Sequence, residues 1–442
     1  MNTLHRAARA LEWLCVLLVV CATACPAPRA NPMDAALDGA RSDVGVQRDA
    51  ATPRRDAATD APRSDAALDP TRTTYEFIGT DQLRLHSVLT DVTPHPNQCN
   101  GHPATGYVMG FDSLANSCRI GEWTYQSSGW VSRVNLRTGK REALIDWPPT
   151  TAQFVEARVA CVGNRVAVLY ARGNRIDSTP SRLFYDQVGL ALFDDFDRPG
   201  RIVWQRSYVD DPMIGQGQSL QALGASTEMI MWQHAPTRAP PELWVSGPNG
   251  EDAHPIAPNE PGYGNRPEYL RVVGPHAVWL DGPQVRYWRK GDAQSQRINN
   301  TLGYRPWTDG RHAVWIGLAS AEPRNMEVYL YDLQTRETRI ISQDPAGQPT
   351  GQNYPTVEGD WVTYSDFRNA RDPSPTAGFT DVMEILGYHI PTGRTVPILT
   401  GVLQAGFTRM FGDGLVHVKC QEQVPTRQFY PIALPLPSLR DE

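Results

Sequence analysis

One stretch of the sequence brings together residue types that bind metal. It is "HPNQCNGH" (95–102), with Cys99 between His95 and His102. Imidazole and thiolate are good zinc ligands, but this spacing fits no short structural zinc motif. The stretch is rich in residues that favour loops, where polar side chains are expected. The sequence therefore predicts no metal site here, and no cofactor elsewhere in the chain.

A second stretch, "DFRNARD" (366–372), could hold a cation through two Asp side chains. A calcium loop of the EF-hand type would need more acidic oxygens and a terminal Glu. The simpler interpretation is an ion pair between Asp366 and Arg368 that fixes a loop at the end of a strand. "FDDFDRPG" (193–200) is interpreted in the same way, as a solvated turn.

No motif of a known catalytic class accompanies these residues. The Gly-x-Ser-x-Gly elbow of α/β-hydrolases and the Ser-x-Asp-x-Gly-x-x-Trp box of sialidases do not occur. Paired carboxylates for glycoside chemistry can be judged only from geometry. We therefore name no catalytic residue, although the absence of a motif does not exclude an enzyme.

The elements that position these residues are copies of one repeat. In each clear copy a Gly is followed five positions later by a large aromatic residue. The clear pairs are Gly274 with Trp279, Gly310 with Trp315, and Gly359 with Tyr364. Four weaker copies, which bring the number to seven, lie at 105–112, 162–170, 226–233 and 413–420. The glycine predicts a tight turn, and the apolar, β-branched residues after it predict a strand.

A second element recurs further along each repeat. The segments 134–144, 331–341 and 388–398 each contain a strand, a polar turn centred on Thr, and another strand. Four strands per unit of about 50 residues are typical of a β-propeller blade. The predicted fold is all-β, a single propeller with seven four-stranded blades, six or eight being the alternatives. Trp232, Trp279, Trp315 and Tyr364 are predicted to fill the core between blades.

The two ends of the propeller region predict how its ring closes. The last repeat contains two strands fewer than a blade, whereas residues 73–92 contain strands in excess. We expect the N-terminal strands to complete the last blade, because a ring cannot leave its edges exposed.

These repeats resemble those of the TolB-type propeller family, most closely over residues 267–400. Family repeats combine a Pro, an Asp and Gly turn, a strand ending in an aromatic residue, Asp-x-Arg, and a Thr-Gly turn. The chain departs from them in a long insertion at about 173–200, and in keeping a clear Asp-x-Arg element only at Asp366 and Arg368. The resemblance implies a fold rather than a function.

The N-terminus predicts export. Residues 13–22 form an apolar stretch after two arginines, with the length of a secretory signal. The following "ATAC" resembles the lipobox of bacterial lipoproteins and implies acylation of Cys25; the alternative is ordinary cleavage after Ala24. The Asp- and Ala-rich segment 25–72 has too little apolar surface to fold, which predicts a disordered tether. The predicted domains are thus a signal peptide (1–24), the lipidated Cys with its tether (25–72), and the propeller (73–442).

Four cysteines remain in the exported body, where disulfides are permitted. They are Cys99, Cys118, Cys161 and Cys420. We favour a bond between Cys99 and Cys118, because both lie in the same loop-rich stretch before the first clear hairpin.

Composition and architecture together limit the partners. The formal charge of −6, without a basic block, argues against nucleic acid. The combination of lipobox, tether and propeller resembles envelope lipoproteins of myxobacteria, so the expected location is the outer membrane, facing the periplasm or the cell surface. There we expect a non-catalytic propeller that is held to the bilayer by acyl chains and presents loops, above all 173–200, to an envelope protein or a glycan. The alternatives are a polysaccharide lyase or glycoside hydrolase acting in the central channel, and a structural subunit of an envelope assembly.

Overall fold

The computed structural model divides the chain into two units, residues 1–64 and 65–442. The structure describes the following residues, all of them in the second unit: 75–78, 80–85, 88–90, 98–99, 102–103, 117–127, 131–135, 141–145, 153–175, 183–196, 198–207, 222–234, 242–256, 268–320, 325–342, 351–367, 382–403, 405–412, 414–421 and 429–437. The predicted signal peptide, Cys25 and the tether lie outside these residues.

The described part of the chain is all-β and forms a propeller of seven blades, which confirms the predicted fold class. Each blade is an antiparallel sheet whose strands follow one another in chain order. The strands of blades 1 to 3 are β6 (Ser117–Ile120), β7 (Trp123–Ser127), β8 (Val131–Asn135), β9 (Arg141–Ile145); β10 (Gln153–Val162), β11 (Arg165–Arg175), β12 (Leu183–Phe193), β13 (Gly200–Ser207); β14 (Leu223–Ala225), β15 (Ile230–His234), β16 (Glu242–Ser246) and β17 (His254–Ile256).

Blades 4 to 7 continue the same pattern. Their strands are β18 (Glu268–Val273), β19 (His276–Asp281), β20 (Gln284–Arg289), β21 (Gln296–Arg297); β22 (Gly303–Thr308), β23 (His312–Ser320), β24 (Asn325–Asp332), β25 (Thr338–Ile340); β26 (Gln352–Glu358), β27 (Trp361–Asp366), β28 (Val382–His389), β29 (Arg394–Leu403); β30 (Ala405–Met410), β31 (Leu415–Gln421) and β32 (Phe429–Pro435). Before the blades lie β1 (Tyr75–Ile78), β2 (Gln82–Leu85), β3 (Val88–Thr90), β4 (Gln98–Cys99) and β5 (His102–Pro103).

The first strand of each blade, here called the inner strand, contacts the inner strands of its neighbours from β6 through β30. The core lies between the blades, where the second strands place their large aromatic side chains. Trp232, Trp315 and Tyr364 are among the largest fully buried side chains, and Trp279 is also buried. Each of the resulting hydrophobic clusters joins residues of two neighbouring blades, so the blades bury one another's faces.

The turns from inner to second strand adopt the geometry that the repeated glycine predicts. Gly274 and Gly359 have φ values of 53° and 57°, in the left-handed region that glycine enters without a Cβ penalty. In blade 1 the corresponding turn glycine is Gly121. The repeat proposed at 105–112 lies outside the described residues.

Closure of the ring differs from the prediction. Blade 7 has three strands in the described part of the chain, and the N-terminal strands pair elsewhere: β2 with β13 in blade 2, and β3 with β9 in blade 1. The prediction that residues 73–92 complete the last blade is therefore wrong. They widen the outer edges of the first two blades instead.

Prolines in β32 leave its outer edge poorly suited to pair with a further strand of blade 7, and no fourth strand lies there among the described residues. The Leu436 amide donates to the Gly414 carbonyl, so alternate residues of the ladder direct their amides inward. The outward positions are therefore those of Phe429, Pro431, Ala433 and Pro435. Two of these four residues have no N–H to offer an added strand, a common way to close an edge.

In its described part, the segment predicted as a long insertion in blade 2 is largely strand. β11 and β12 pair from Val166 with Phe193 to Arg175 with Leu183, which lengthens the hairpin instead of forming a loop. The turn that follows exposes Asp194 and Asp195, whereas Phe196 is buried and stacks on Phe193. The prediction of a large contact loop at 173–200 is thus corrected to an extended β-hairpin.

Candidate functional site

Arginine side chains from the inner strands of three blades meet at the central channel. Arg158 of β10, Arg271 of β18 and Arg409 of β30 line a cavity of about 80 Å³, together with residues of β6 and β14. The strands that enclose the cavity therefore come from five blades. The arrangement of the inner strands around a ring brings together residues that are distant in sequence.

Each of these three guanidinium groups donates a hydrogen bond to a main-chain carbonyl. Arg158 donates to Ala157 O (3.0 Å) and Arg271 to Leu270 O (3.3 Å). Arg409 donates to Ser117 O across the junction of blades 7 and 1 (3.1 Å). Among the described residues that line the cavity, none carries a carboxylate. The wall of the cavity is thus cationic.

A second cavity, of about 30 Å³, shares Arg271 with the first and has aromatic walls. Its lining includes Tyr269, Arg305, Trp307 and Tyr354 from blades 4 to 6. The guanidinium carbon of Arg305 lies 3.8 Å from the centre of the Tyr354 ring. The two cavities together form what we call the channel site, whose walls carry both cationic and aromatic side chains.

β-Bulges in consecutive inner strands direct these side chains. The ladder shifts register between Glu268 and Arg271, between Tyr304 and Trp307, and between Asn353 and Thr356. A bulge re-aims side chains, and bulges are common next to functional sites.

Each of these three bulges contains a residue with a left-handed backbone. Tyr269, Arg305 and Tyr354 have φ values of 55°, 50° and 53°. Such a conformation costs a residue other than Gly about 1–3 kcal/mol, and strain of this kind clusters at binding sites. Strain at equivalent positions of three neighbouring blades marks this wall of the channel as a candidate site.

Burial and mutual repulsion govern the electrostatics of the channel site. Desolvation lowers the pKa of Arg271 to about 9. The pKa of Arg409 is also lowered, first by burial and then by the charge of Arg271. Burial also lowers the pKa of Arg305, but the Coulombic influence and hydrogen bonds of Tyr354 and Tyr269 outweigh it, and the net shift is upward. Guanidinium stays protonated in proteins, so the lowered pKa values of Arg271 and Arg409 show that burial disfavours the charge that both side chains carry.

The disulfide at the edge of this cavity differs from the predicted one. Cys118 of β6 bonds Cys161 of β10, with their Cα atoms 5.6 Å apart, so a bond from Cys118 to Cys99 is wrong. Proximity in sequence favoured Cys99, whereas the ring places the inner strands of blades 1 and 2 side by side. Both cysteines line the cavity. The bond therefore ties together two of the strands that form the channel wall.

The residues singled out from the sequence mostly lie away from the channel site. Asp366 is fully buried at the end of β27 and lies opposite Gln352 and Glu384 in the sheet. Arg368, its predicted partner, lies outside the described residues, and so does His95. The side chains of Cys99 and His102 are also outside the described part. The predicted ion pair stays a prediction.

Sequence reasoning missed the channel arginines, although a signal was present. Residues three and five positions before the turn glycine line the channel in several blades. In blade 2 they are Ala160 and Arg158, and in blade 4 Arg271 and Tyr269. In blades 5 and 6 the same two positions hold Trp307 and Arg305, then Thr356 and Tyr354. Aligning the repeats on their glycine and comparing these two columns would have found the site.

No three His, Cys, Asp or Glu side chains of the described part converge in a way that could hold a metal ion. Within the same residues, no helix is long and apolar enough to cross a membrane.

No protein-family model and no curated protein matches this chain. Among solved structures, an oligogalacturonate lyase in complex with manganese is 12% identical, with a TM-score of 0.48 over 81% of this chain and 98% of that one. A GH74 enzyme of Niastella koreensis is 14% identical (TM-score 0.47; 78% of this chain, 55% of that one). TolB from Acinetobacter baumannii is 11% identical (TM-score 0.34; 72% and 78%). The chain is thus similar in fold to TolB-like propellers and to propeller enzymes, and at these values the likeness carries no argument about activity.

Proposed function

We propose that this protein is an exported binding propeller whose central channel captures an anionic ligand. One observation carries the proposal. Arg158, Arg271 and Arg409 face the same cavity, and none of the described residues that line it is acidic. Arg409 has two buried N–H groups that reach no acceptor among the described residues, and a buried polar group normally needs such a partner. A cationic cavity in a protein with a net charge of −6 is not a consequence of overall composition.

The cationic groups of the channel are guanidinium groups, which can hydrogen-bond a bound anion as well as attract it from solution. Guanidinium presents planar N–H donors that match carboxylate, sulfate and phosphate oxygens. The strained residues Tyr269, Arg305 and Tyr354 hold an aromatic wall beside these donors. Inner strands that contact one another from β6 through β30, with the Arg409–Ser117 hydrogen bond across the junction of blades 7 and 1, keep this arrangement preorganised, which reduces the entropy lost on binding.

Titration calorimetry of the full-length protein tests this function. Inorganic phosphate and acetate are titrated at low ionic strength into the wild type, into Arg271→Gln, and into the control Arg311→Gln, whose side chain is exposed. We expect at least one anion to bind the wild type and the control, and Arg271→Gln to weaken that binding at least tenfold. The absence of any anion binding, or equal binding by Arg271→Gln, would overturn the proposal.

We further propose that acylated Cys25 anchors the protein in the outer membrane, with the segment up to residue 72 as its tether. The support is the lipobox-like "ATAC" at residues 22–25. Fractionation of cells that express Cys25→Ala tests the anchor. Release of the variant from the membrane fraction is expected, and continued retention would contradict the proposal.

A further inference from the structure

The junction between blades 7 and 1 is built differently from the other six. Clusters of buried apolar residues join the neighbouring blades in order, from blades 1 and 2 through blades 6 and 7. Within the described residues, no such cluster joins blade 7 to blade 1. In the same part of the chain these two blades share no strand, since β2 pairs in blade 2 and β3 in blade 1. Apolar burial therefore holds the ring together less firmly here than at the other junctions.

The face of blade 1 that lies towards this junction is polar. Tyr125 of β7 packs in the cluster with blade 2, so its neighbours Thr124 and Gln126 lie on the opposite face. Gln126 stands five positions after the turn glycine of blade 1, where blades 4 to 6 have Trp or Tyr. Ser132 of β8 lies opposite Gln126 in the ladder and shares its face. Polar side chains thus replace the aromatic residue of the other junctions.

Two hydroxyl groups on this face are buried without a partner. The side chains of Thr124 and Ser132 are fully buried, and neither hydroxyl makes a hydrogen bond to any described residue. Such burial is costly, because hydrogen bonds to water are lost and not replaced. Separation of blade 1 from blade 7 would return both groups to water. Separation of two apolar faces, by contrast, exposes apolar surface, which is unfavourable.

Arg409 crosses the junction at its channel end. Its Nη2 donates to the Ser117 carbonyl of blade 1 (3.1 Å), and its guanidinium carbon lies 3.9 Å from the centre of the Trp307 ring. Its buried Nε and Nη1 reach no acceptor among the described residues. Arg409 and Ser117 both line the larger cavity of the channel site, so separation of the two blades would open this cavity to solvent. An anion on Arg409 would contact lining residues from both sides of the junction.

We infer that the ring opens at the junction of blades 7 and 1, which admits the ligand to the channel site, and that an anion bound at Arg409 holds the junction closed. The second part rests on the proposed function. Proteins open locally where few buried apolar contacts hold an element, and a ligand that binds only the closed form shifts the equilibrium towards it. The disulfide between Cys118 and Cys161 keeps blade 1 attached to blade 2, so the opening lies on the side of blade 7.

Thiol labelling of the full-length protein under native conditions tests the opening. Ser132→Cys places a thiol at the junction with little change in size. The matched control is Ser365→Cys, at an equally buried serine between blades 6 and 7, which an apolar cluster joins; Ala313→Cys, between blades 4 and 5, is a second control. Without anions, iodoacetamide should label position 132 about tenfold faster than positions 365 and 313. Peptide mass mapping separates these positions from the natural cysteines, and global unfolding would label all three at the same rate.

Two further measurements on Ser132→Cys test the cause of the opening and its link to the ligand. Addition of Thr124→Val keeps the shape of the side chain and removes a hydroxyl without a partner, so it should slow labelling at position 132 about fivefold. Phosphate or acetate, whichever calorimetry shows to bind more tightly, is then added at ten times its Kd. Labelling should slow about tenfold, because the open fraction falls by the factor 1 + [L]/Kd.

The outcomes separate this inference from the proposed function. If position 132 labels no faster than positions 365 and 313, the ring does not open here and the inference fails, whereas anion binding in calorimetry leaves the proposed function standing. If the bound anion leaves the labelling rate at position 132 unchanged, the link between ligand and junction is wrong. If no anion binds, the proposed function fails, and the rates without anions still decide whether the junction opens.

Discussion

The second strands and the inner strands of the blades show opposite kinds of repetition. In the second strands the copies agree: Trp232, Trp279, Trp315 and Tyr364 are all buried between blades. In the inner strands the copies share a backbone pattern but differ in side chains. The two channel-facing columns hold Arg, Tyr, Trp, Thr and Ala in different blades. Positions at which the copies agree therefore determine the propeller fold, and positions at which they differ determine which side chains line the channel.

The energetics of the two regions differ in the same way. The second strands gain stability from apolar burial, at about 25 cal/mol for each Å² removed from water. The inner strands of blades 4 to 6 carry three left-handed residues other than glycine, and two arginines with lowered pKa values. Proteins tolerate such costs where binding needs them, and the aromatic clusters between the blades offset them.

Replacement of an aromatic residue of a second strand should give the largest effect on stability. Trp315 is 1% exposed, and its ring stacks on that of Tyr329 at 5.7 Å between centroids. Trp315→Ala is expected to lower the free energy of unfolding by about 3–5 kcal/mol, because it removes buried area and leaves a cavity between blades 4 and 5. Chemical denaturation followed by tryptophan fluorescence and circular dichroism measures the change.

The same variant sharpens the comparison of the two regions. Below its midpoint of unfolding, Trp315→Ala should bind anions as the wild type does, since Trp315 does not line the channel site. If the free energy of unfolding falls by less than about 1 kcal/mol, the aromatic residues between the blades are not the main source of stability.

Removal of the disulfide between inner strands should have the next largest effect. Cys118 and Cys161 are separated by 43 positions in the sequence, and a closed loop of that size stabilises by about 3–4 kcal/mol in the chain-entropy model. The double variant Cys118→Ala, Cys161→Ala is expected to lose about that amount in denaturation experiments. Peptide mapping without reductant is the control, and recovery of a peptide that links Cys99 to Cys118 would contradict the assignment.

Removal of a charge from the channel should act in the opposite direction. Arg409→Met keeps an apolar contact with Trp307 but removes a buried cation repelled by Arg271. Replacing buried charge with an apolar side chain of similar size is often neutral or stabilising. We expect the free energy of unfolding to rise by about 1 kcal/mol in buffer without phosphate or acetate, and anion binding to be lost. If Arg409→Met is less stable than the wild type and still binds anions, the inner strands do not trade stability for binding, and the contrast with the second strands is wrong.

Much of the fold could be predicted from the sequence because its signals are local. A glycine such as Gly359 needs only its own turn to be recognised, and Tyr364 needs only its distance from that glycine. The predicted disulfide partner of Cys118 was wrong for the converse reason, because the true partner, Cys161, is distant in the chain and adjacent in the ring. The prediction of how the ring closes was wrong although a local signal was present. The two prolines of β32 remove outward N–H groups that an added strand would need.

The candidate site depends on what the ring brings together. The sequence by itself determined the all-β class, the seven-bladed propeller and the aromatic residues between the blades, since each follows from periodicity and local turn chemistry. Only the tertiary structure decided that Arg271 and Arg409, more than a hundred positions apart, rest on the same indole. The reason is physical: their interaction arises from closure of the ring, and closure is a property of all seven blades and of no single segment.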